Sequence, residues 1–273
     1  MTRELNIRRK AFVHGGIGIN YKPLAKKIIH DCDFKLKVKR IYDLIGIDIG
    51  QSVHSHDDND SINNQLLSYA INCYINERYH LQGYFGDLQI GHSMGLYSCL
   101  YSAGFYEYET GAQIIYNVYE VIRNYFEGKG YCLGCVMGIS EDRLTSLLKK
   151  YNCEICIDNG YDNFVVNGKK ESVARLLNDS LDLGAKFVKY IKSQLPYHSQ
   201  VMNDIRSSLN KSIYNISINK PYDDINVYSM VTVNKINYNN CLDSVLDMIC
   251  TRIRFCYCIY YISTHMTNVF YEI

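Results

Sequence analysis

Short apolar runs ending in glycine alternate with longer stretches whose apolar residues recur at helical spacing. Lys10 to Val13 reads as a short strand running into Gly15-Gly16-Ile17-Gly18, and a helix follows at about Lys22 to Asp31. The polar run Asp57-Asp58-Asn59-Asp60-Ser61 places Asp60 or Ser61 to cap a long helix reaching about Tyr79. Leu88-Gln89-Ile90 is an apolar strand, and Leu96 through Ala103 a helix of small and apolar residues. Ala112 to Phe126 keeps a helical period whose apolar stripe reads as core packing, and it stops at Gly128-Lys129-Gly130.

Beyond that stop the pattern changes. Cys132 to Ile139 is an apolar strand, Glu141 to Lys150 a helix, Glu154 to Asp158 and Asn163 to Val166 two strands, Lys170 to Leu183 a helix, and Ala185 to Tyr190 a strand. This β-α-β-β-α-β order is the ferredoxin-like pattern, so the spacing predicts a small subdomain at 129–196 inserted between residues 1–128 and 197–273. Ser199 to Ser212 is helical again, Asn226 to Ser229 a further strand, and Asn268 to Ile273 strand-like.

Composition narrows the function classes. A chain of 273 residues can bury a full core, as one large domain or a domain with an insertion. Its formal net charge of +1 argues against nucleic acid as a partner. No apolar run approaches the roughly 18 residues of a membrane span, and Met1 to Lys10 is polar and basic without a signal-peptide core. The expectation is therefore a cytoplasmic protein without a membrane partner, acting as a monomer. Its eleven cysteines then read as reduced thiols.

The candidate chemistry begins at Gly91-His92-Ser93-Met94-Gly95, between a strand and a helix. G-x-S-x-G in that context is a nucleophile elbow, a sharp turn that presents the serine hydroxyl at its tip. The next amide, Met94 N–H, lies at a helix N-terminus and points toward where an oxyanion would form. A serine nucleophile needs a base to take its proton. His54 and His56 sit in a polar loop and His30 among lysines, while His92, beside the serine, is expected to turn away into the fold. His198, in Leu195-Pro196-Tyr197-His198-Ser199, follows the nucleophile in the order elbow enzymes use, although a helix-capping surface residue fits its position equally.

Several segments together resemble the malonyl-CoA:acyl-carrier-protein transacylase family, which pairs a G-H-S-x-G elbow with an H-S-x-x-M histidine segment. They are Gly91 to Ser98, Ala103-Gly104, Leu195 to Met202, Cys132 to Ile139, Asn163 to Gly168 and Phe270 to Ile273. The resemblance implies an α/β fold: an α/β-hydrolase-like large subdomain with a parallel sheet, carrying the ferredoxin-like insert. It implies that a thioester acylates Ser93, that His198 is the base, and that the acyl group passes to a phosphopantetheine thiol. It implies an acyl carrier protein or CoA as substrate and partner, and no bound cofactor. It also implies a histidine oriented by backbone carbonyls, for which Tyr228-Ser229-Met230 is the nearest segment. The oxyanion hole would combine the Met94 amide with Gly15 or Gly16 from the first loop.

Departures from that pattern concern the acyl group. The family's first loop is Phe-Pro-Gly-Gln-Gly, replaced here by Phe12-Val13-His14-Gly15-Gly16; the glutamine contributes mainly an amide, which a glycine can supply. That loop also lacks the full dinucleotide fingerprint. Malonyl-using members carry an arginine in the helix after the elbow, where this chain has Val118, and Arg123 lies a turn and a half beyond. Leu96 stands where the family has glutamate. An acyl pocket formed by Val118, His92 and Leu96 would leave the malonyl carboxylate uncompensated and suit an uncharged acyl group. These changes resemble the arginine-lacking branch in polyketide systems, whose members hydrolyse stalled acyl chains from carrier proteins. The Gly-Pro-Gly turn that follows Phe270 to Ile273 in family members is absent, which also motivates a degenerate member serving as a binding partner.

Two groups of residues imitate metal sites. Cys132-x-x-Cys135 and Cys153-x-x-Cys156 have zinc-like spacing. They fall in strand text, however, where residues three apart point to opposite faces, so core cysteines are the better reading. His54-Ser55-His56-Asp57-Asp58 reads as a solvated loop, and no metal is expected.

Overall fold

The structure is a computed structural model that describes residues 9–16, 19–53, 61–191, 193 and 195–273. Strand β1 (Ala11–His14) leads into helices α1 (Lys22–Ile28), α2 (Cys32–Ile45) and α3 (Ile49–Ser52). Helix α4 (Ile62–Leu81) precedes β2 (Leu88–Gly91), α5 (Gly95–Ser102) and α6 (Tyr108–Phe126). There follow β3 (Tyr131–Met137), α7 (Glu141–Tyr151), β4 (Glu154–Gly160), β5 (Asn163–Lys169), α8 (Lys170–Asp182) and β6 (Phe187–Ile191). A 3-10 turn at Gln200–Ile205 runs into α9 (Arg206–Ile213) and then β7 (Asn226–Tyr228) and β8 (Lys235–Ile236). The chain finishes with α10 (Cys241–Cys250), β9 (Ile253–Arg254), α11 (Phe255–His265) and β10 (Phe270–Glu272).

One sheet has the order β10-β1-β2-β7-β8, with every pair parallel except β7 with β8. Its central strands are four residues long and almost wholly buried, as expected of parallel strands covered on both faces. The polar side chains they bury satisfy one another. His14 meets Ser98 Oγ through Nδ1 at 2.9 Å and Gln89 through Nε2, which ties β1, β2 and α5 together behind the elbow. Helix α4 buries residues on nearly every face, including Gln65, Ser68, Asn72 and Asn76, and so runs through the interior rather than over it. Ser61 caps it by accepting from the Asn64 N–H; the alternative cap, Asp60, lies outside the described residues.

The second sheet, β6-β3-β5-β4-β9, is antiparallel except that β9 pairs parallel with β4. Helices α7 and α8 cover one face, where Cys132, Val136, Phe164 and Val166 pack against Leu144, Leu148, Val173 and Leu176. A side chain at Gly134 would meet Val173 and Leu177 at 2.9–3.1 Å, so a bare strand is what lets α8 approach. The opposite face sends Leu133, Ile157 and Val165 into the larger core shared with the parallel sheet. Arg252 fastens the edge beside β9, with bonds of 2.6 Å and 2.8 Å to Glu141 and a longer one to Asp158.

Two sets of sequence expectations compare directly with these elements. Cys132 joins the small core and Cys156 the large one, each as a buried core residue. The histidine and aspartate group from His54 to Asp58 lies outside the described residues, as do Ile17-Gly18 and Met1 to Arg8. Among the described residues no helix is long and apolar enough to cross a membrane.

Candidate active site

Strand β2 ends at Gly91 and helix α5 begins at Gly95, so the chain must reverse direction within Gly91-His92-Ser93-Met94-Gly95. Both flanking glycines are sterically required. A Cβ at Gly91 would lie 2.2 Å from the Leu96 nitrogen, and one at Gly95 would lie 2.2 Å from the His14 carbonyl oxygen. Ser93 at the tip adopts φ 53°, in the left-handed region that L-residues enter at a cost of about 1–2 kcal/mol. His198 occupies the same region at φ 61°.

Ser93 Oγ and His198 Nε2 are 2.8 Å apart, although their residues are separated by 105 positions in sequence. The other ring nitrogen fixes the tautomer. Nδ1 lies 2.6 Å from the Met248 carbonyl oxygen, which can only accept, so Nδ1 carries the proton and Nε2 presents a lone pair to the serine hydroxyl. The His198 backbone N–H also donates to the Ile249 carbonyl at 2.8 Å. Met248 and Ile249 belong to the last turn of α10, where helix carbonyls lack intrahelical partners and the dipole is negative. That turn holds the imidazole in place and favours its cationic form. Here the structure corrects the sequence reading: Tyr228 ends β7, Ser229 and Met230 lead into the turn toward β8 in which Ser229 Oγ accepts from the Val231 and Thr232 amides, and the orienting carbonyl is that of Met248.

Burial is the main influence on His198. It lowers the ring's pKa from 6.5 to about 4, against the opposing effect of the Met248 carbonyl and with a further lowering from nearby His92. The imidazole is therefore neutral near pH 7, as a base must be before it accepts a proton.

His92 turns toward the interior between the two sheets. Its Nε2–H donates to Asn159 Oδ1 on β4 at 3.0 Å, and its ring meets the Phe255 ring edge-on, so it reaches toward the second sheet. The Met94 amide makes no hydrogen bond with any described residue, and neither does the amide of Gly16. Gly16 packs directly on the elbow: a Cβ there would lie 2.5 Å from the His92 carbonyl and 3.2 Å from Ser93 Cβ. Gly15 instead faces Ile19 and the Tyr21 hydroxyl. A cavity of about 560 Å³ opens beside these residues, lined by Gly15, Gly16 and His92 with Val13, Ile19 and Phe255. A larger cavity of about 700 Å³, between α7 and the end of α10, includes Glu154 and Arg252 but neither Ser93 nor His198.

Val118 and Leu96 are both 3 % exposed and belong to the large core; neither lines the cavity beside His92. Arg123 bonds Glu120 at 2.8 Å. The carbonyl of Met248, the side chain of Asn159 and the buried Asn72, whose Nδ2 donates to the Gly15 carbonyl, are site features the sequence reading missed. Each acts through a contact between residues far apart in the chain, which no local pattern signals.

No protein-family model matches the chain. By sequence it is similar to probable polyketide synthase 42 of Dictyostelium discoideum, with 28% identity over 254 residues, 87% of this chain and 9% of that protein. It is also similar to the polyketide biosynthesis malonyl CoA-acyl carrier protein transacylase PksC of Bacillus subtilis, with 25% identity over 169 residues, 60% of this chain and 56% of PksC. The matched region is thus under a tenth of the synthase and about half of the transacylase. Among solved structures, the malonyl CoA-acyl carrier protein transacylase of Coxiella burnetii superposes with a TM-score of 0.88 at 22% identity, covering 97% of this chain and 86% of that one. A malonyl-transacylase solved in complex with its type II polyketide synthase acyl-carrier protein superposes with a TM-score of 0.84 at 18% identity, covering 97% and 88%. The fold is that of the malonyl-CoA:acyl-carrier-protein transacylases, as the combined motifs implied.

Proposed function

We propose that the protein is an acyltransferase that moves an acyl group between thioesters through an ester on Ser93. The observation that carries this reading is the 2.8 Å contact between Ser93 Oγ and a His198 Nε2 whose tautomer leaves it free to accept a proton. As Oγ attacks the thioester carbonyl, its proton passes to Nε2, and the amides of Met94 and Gly16 receive the developing oxyanion. Collapse breaks the carbon–sulfur bond, and the departing thiolate takes the proton back from the imidazolium, leaving acyl-Ser93. A pantetheine thiol then repeats the steps in reverse. The fold shared with a transacylase solved on its acyl-carrier protein supports a carrier protein or CoA as the thioester partner.

Val118 supports a preference for uncharged acyl groups. It is a buried core residue, and the nearby Arg123 is engaged with Glu120, so neither offers a free cation for a malonyl carboxylate. A buried carboxylate without a partner costs several kcal/mol. The same observation favours a second reading, in which water removes the acyl group from Ser93. Supplying acetyl-loaded carrier protein together with an unloaded second carrier tests both. Acetyl appearing on the second carrier supports transfer, and its loss from the first carrier without reappearance supports hydrolysis. Stable acetyl-carrier at enzyme concentrations that turn over malonyl-carrier would reject the uncharged-acyl preference.

A further inference from the structure

We propose that Glu154, on strand β4 of the second sheet, is a positioning residue for His198, gripping the chain two residues beyond it; this rests on the reading of His198 as the base that activates Ser93. His198 adopts φ 61°, a conformation that costs an L-residue about 1–2 kcal/mol, so contacts on both sides must hold it there. On its N-terminal side the grip is its own N–H, which donates to the Ile249 carbonyl at 2.8 Å. On its C-terminal side the 3-10 turn Gln200–Ile205 begins, and the first amide of such a turn has no partner within it. Ser199 stands in the N-cap place but caps nothing, because its hydroxyl donates to the Pro196 carbonyl. Glu154 supplies the missing acceptor from 46 residues away, with its two carboxylate oxygens 3.1 Å and 3.2 Å from the Gln200 nitrogen.

A carboxylate at this position is otherwise unfavourable. Glu154 is half-buried, which raises its pKa, and it forms no ion pair among the described residues. What favours its charged form is the Gln200 amide and Asn167, directly across the ladder on β5. A backbone N–H donating to a carboxylate is the stronger, charge-assisted kind of hydrogen bond. With the Gln200 amide fixed to β4 and the His198 amide fixed to α10, the φ of His198 cannot relax without breaking one of the two bonds. Releasing Gln200 would let His198 turn toward negative φ, which swings its Cα–Cβ bond and draws Nε2 away from Ser93 Oγ. The base thus takes part of its geometry from a strand of the inserted subdomain.

Glu154→Ala removes the acceptor, whereas Glu154→Gln removes the charge and keeps an oxygen for the Gln200 amide. Acetylation of Ser93 at saturating acetyl-CoA should slow about tenfold in Glu154→Ala, as expected when a reacting group shifts by a fraction of an ångström, with KM unchanged. Glu154→Gln should stay within about threefold of the parent. The pH midpoint of acetylation, about 4 in the parent, should rise toward 6.5 in Glu154→Ala as the ring leaves its buried position, and should hold in Glu154→Gln. Lost packing alone would lower the melting temperature and leave the midpoint unmoved. Gln200→Pro deletes the same bond from the donor side at a position a turn tolerates, after a Ser199 that is already extended, and serves where Glu154→Ala does not fold. A folded Glu154→Ala or Gln200→Pro variant that acetylates within about threefold of the parent, or keeps its midpoint, overturns the proposal. A Glu154→Gln variant as slow as Glu154→Ala also overturns it, because charge rather than the bond would then matter. A parent protein that takes no acetyl group from acetyl-CoA overturns the Ser93–His198 reading itself, which distinguishes the two failures.

Discussion

Ser93 and His198 both occupy left-handed backbone, and two other described non-glycine residues, Asn152 and Val233, do the same. Asn152 ends α7 in the conformation a helix C-cap favours, but Ser93 has no such excuse. Its conformation follows from the reversal between β2 and α5. Replacing it should therefore separate strain from chemistry. Ser93→Gly should be about 1 kcal/mol more stable than Ser93→Ala in chemical denaturation, because glycine enters this region freely, and both should be inactive. Gly95→Ala should destabilise by about 3 kcal/mol, since the added methyl meets a backbone carbonyl that cannot give way, and a thermal melt reads that loss. The His198 pKa of about 4 gives the acylation rate a definite pH profile: flat from pH 8 to 6, then falling as the free imidazole protonates toward pH 4. A midpoint near 6.5 would show a solvated histidine instead.

Among the elements, α10 matters most to the chemistry, because its last turn supplies the carbonyls that fix His198. It is also among the elements the sequence did not reveal. The elbow and the β-α-β-β-α-β run were legible because their signals are local: a five-residue turn in one case, alternating strand and helix periods in the other. Helix α2 was not assigned from the sequence, although Asp31 caps its start and Gly46 its end. Helix α11, rich in tyrosine and cysteine, carries little periodic signal. Strands β8 and β9 are two residues each, too short to carry a periodic signal; β8 pairs with the neighbouring β7, and β9 with the distant β4. The role of α10 depends on a contact between residues 50 positions apart, so no motif could have announced it. In the second sheet, Leu176→Ala should cost about 2–5 kcal/mol by opening a cavity between α8 and the strands, measurable by denaturant unfolding.

At the scale of the whole molecule, two buried histidines make the fold sensitive to acid. His14 and His198 each have a pKa near 4 in the folded protein, chiefly through burial, against 6.5 when unfolded. The unfolded chain therefore binds protons that the folded one resists. Stability is complete above pH 6.5 and declines as pH falls toward 4, by roughly 3 kcal/mol for each histidine. Denaturation midpoints measured at intervals from pH 7.5 to 4 should trace that decline; an unchanged midpoint would mean the two rings are solvated. The molecule nevertheless assembles its site from distant parts of both sheets: the elbow on β2, the first loop on β1, His198 between the two cores, and Asn159 from β4. The central claim is that this assembly makes Ser93 an acyl carrier. Acid quenching after brief mixing with acetyl-CoA, followed by intact-protein mass spectrometry, tests it most directly. The expected result is one acetyl adduct on the parent protein, mapped to the peptide containing Ser93 and absent from Ser93→Ala. An adduct that persists in Ser93→Ala, or a parent protein that acquires none from either acetyl-CoA or malonyl-CoA, would contradict it.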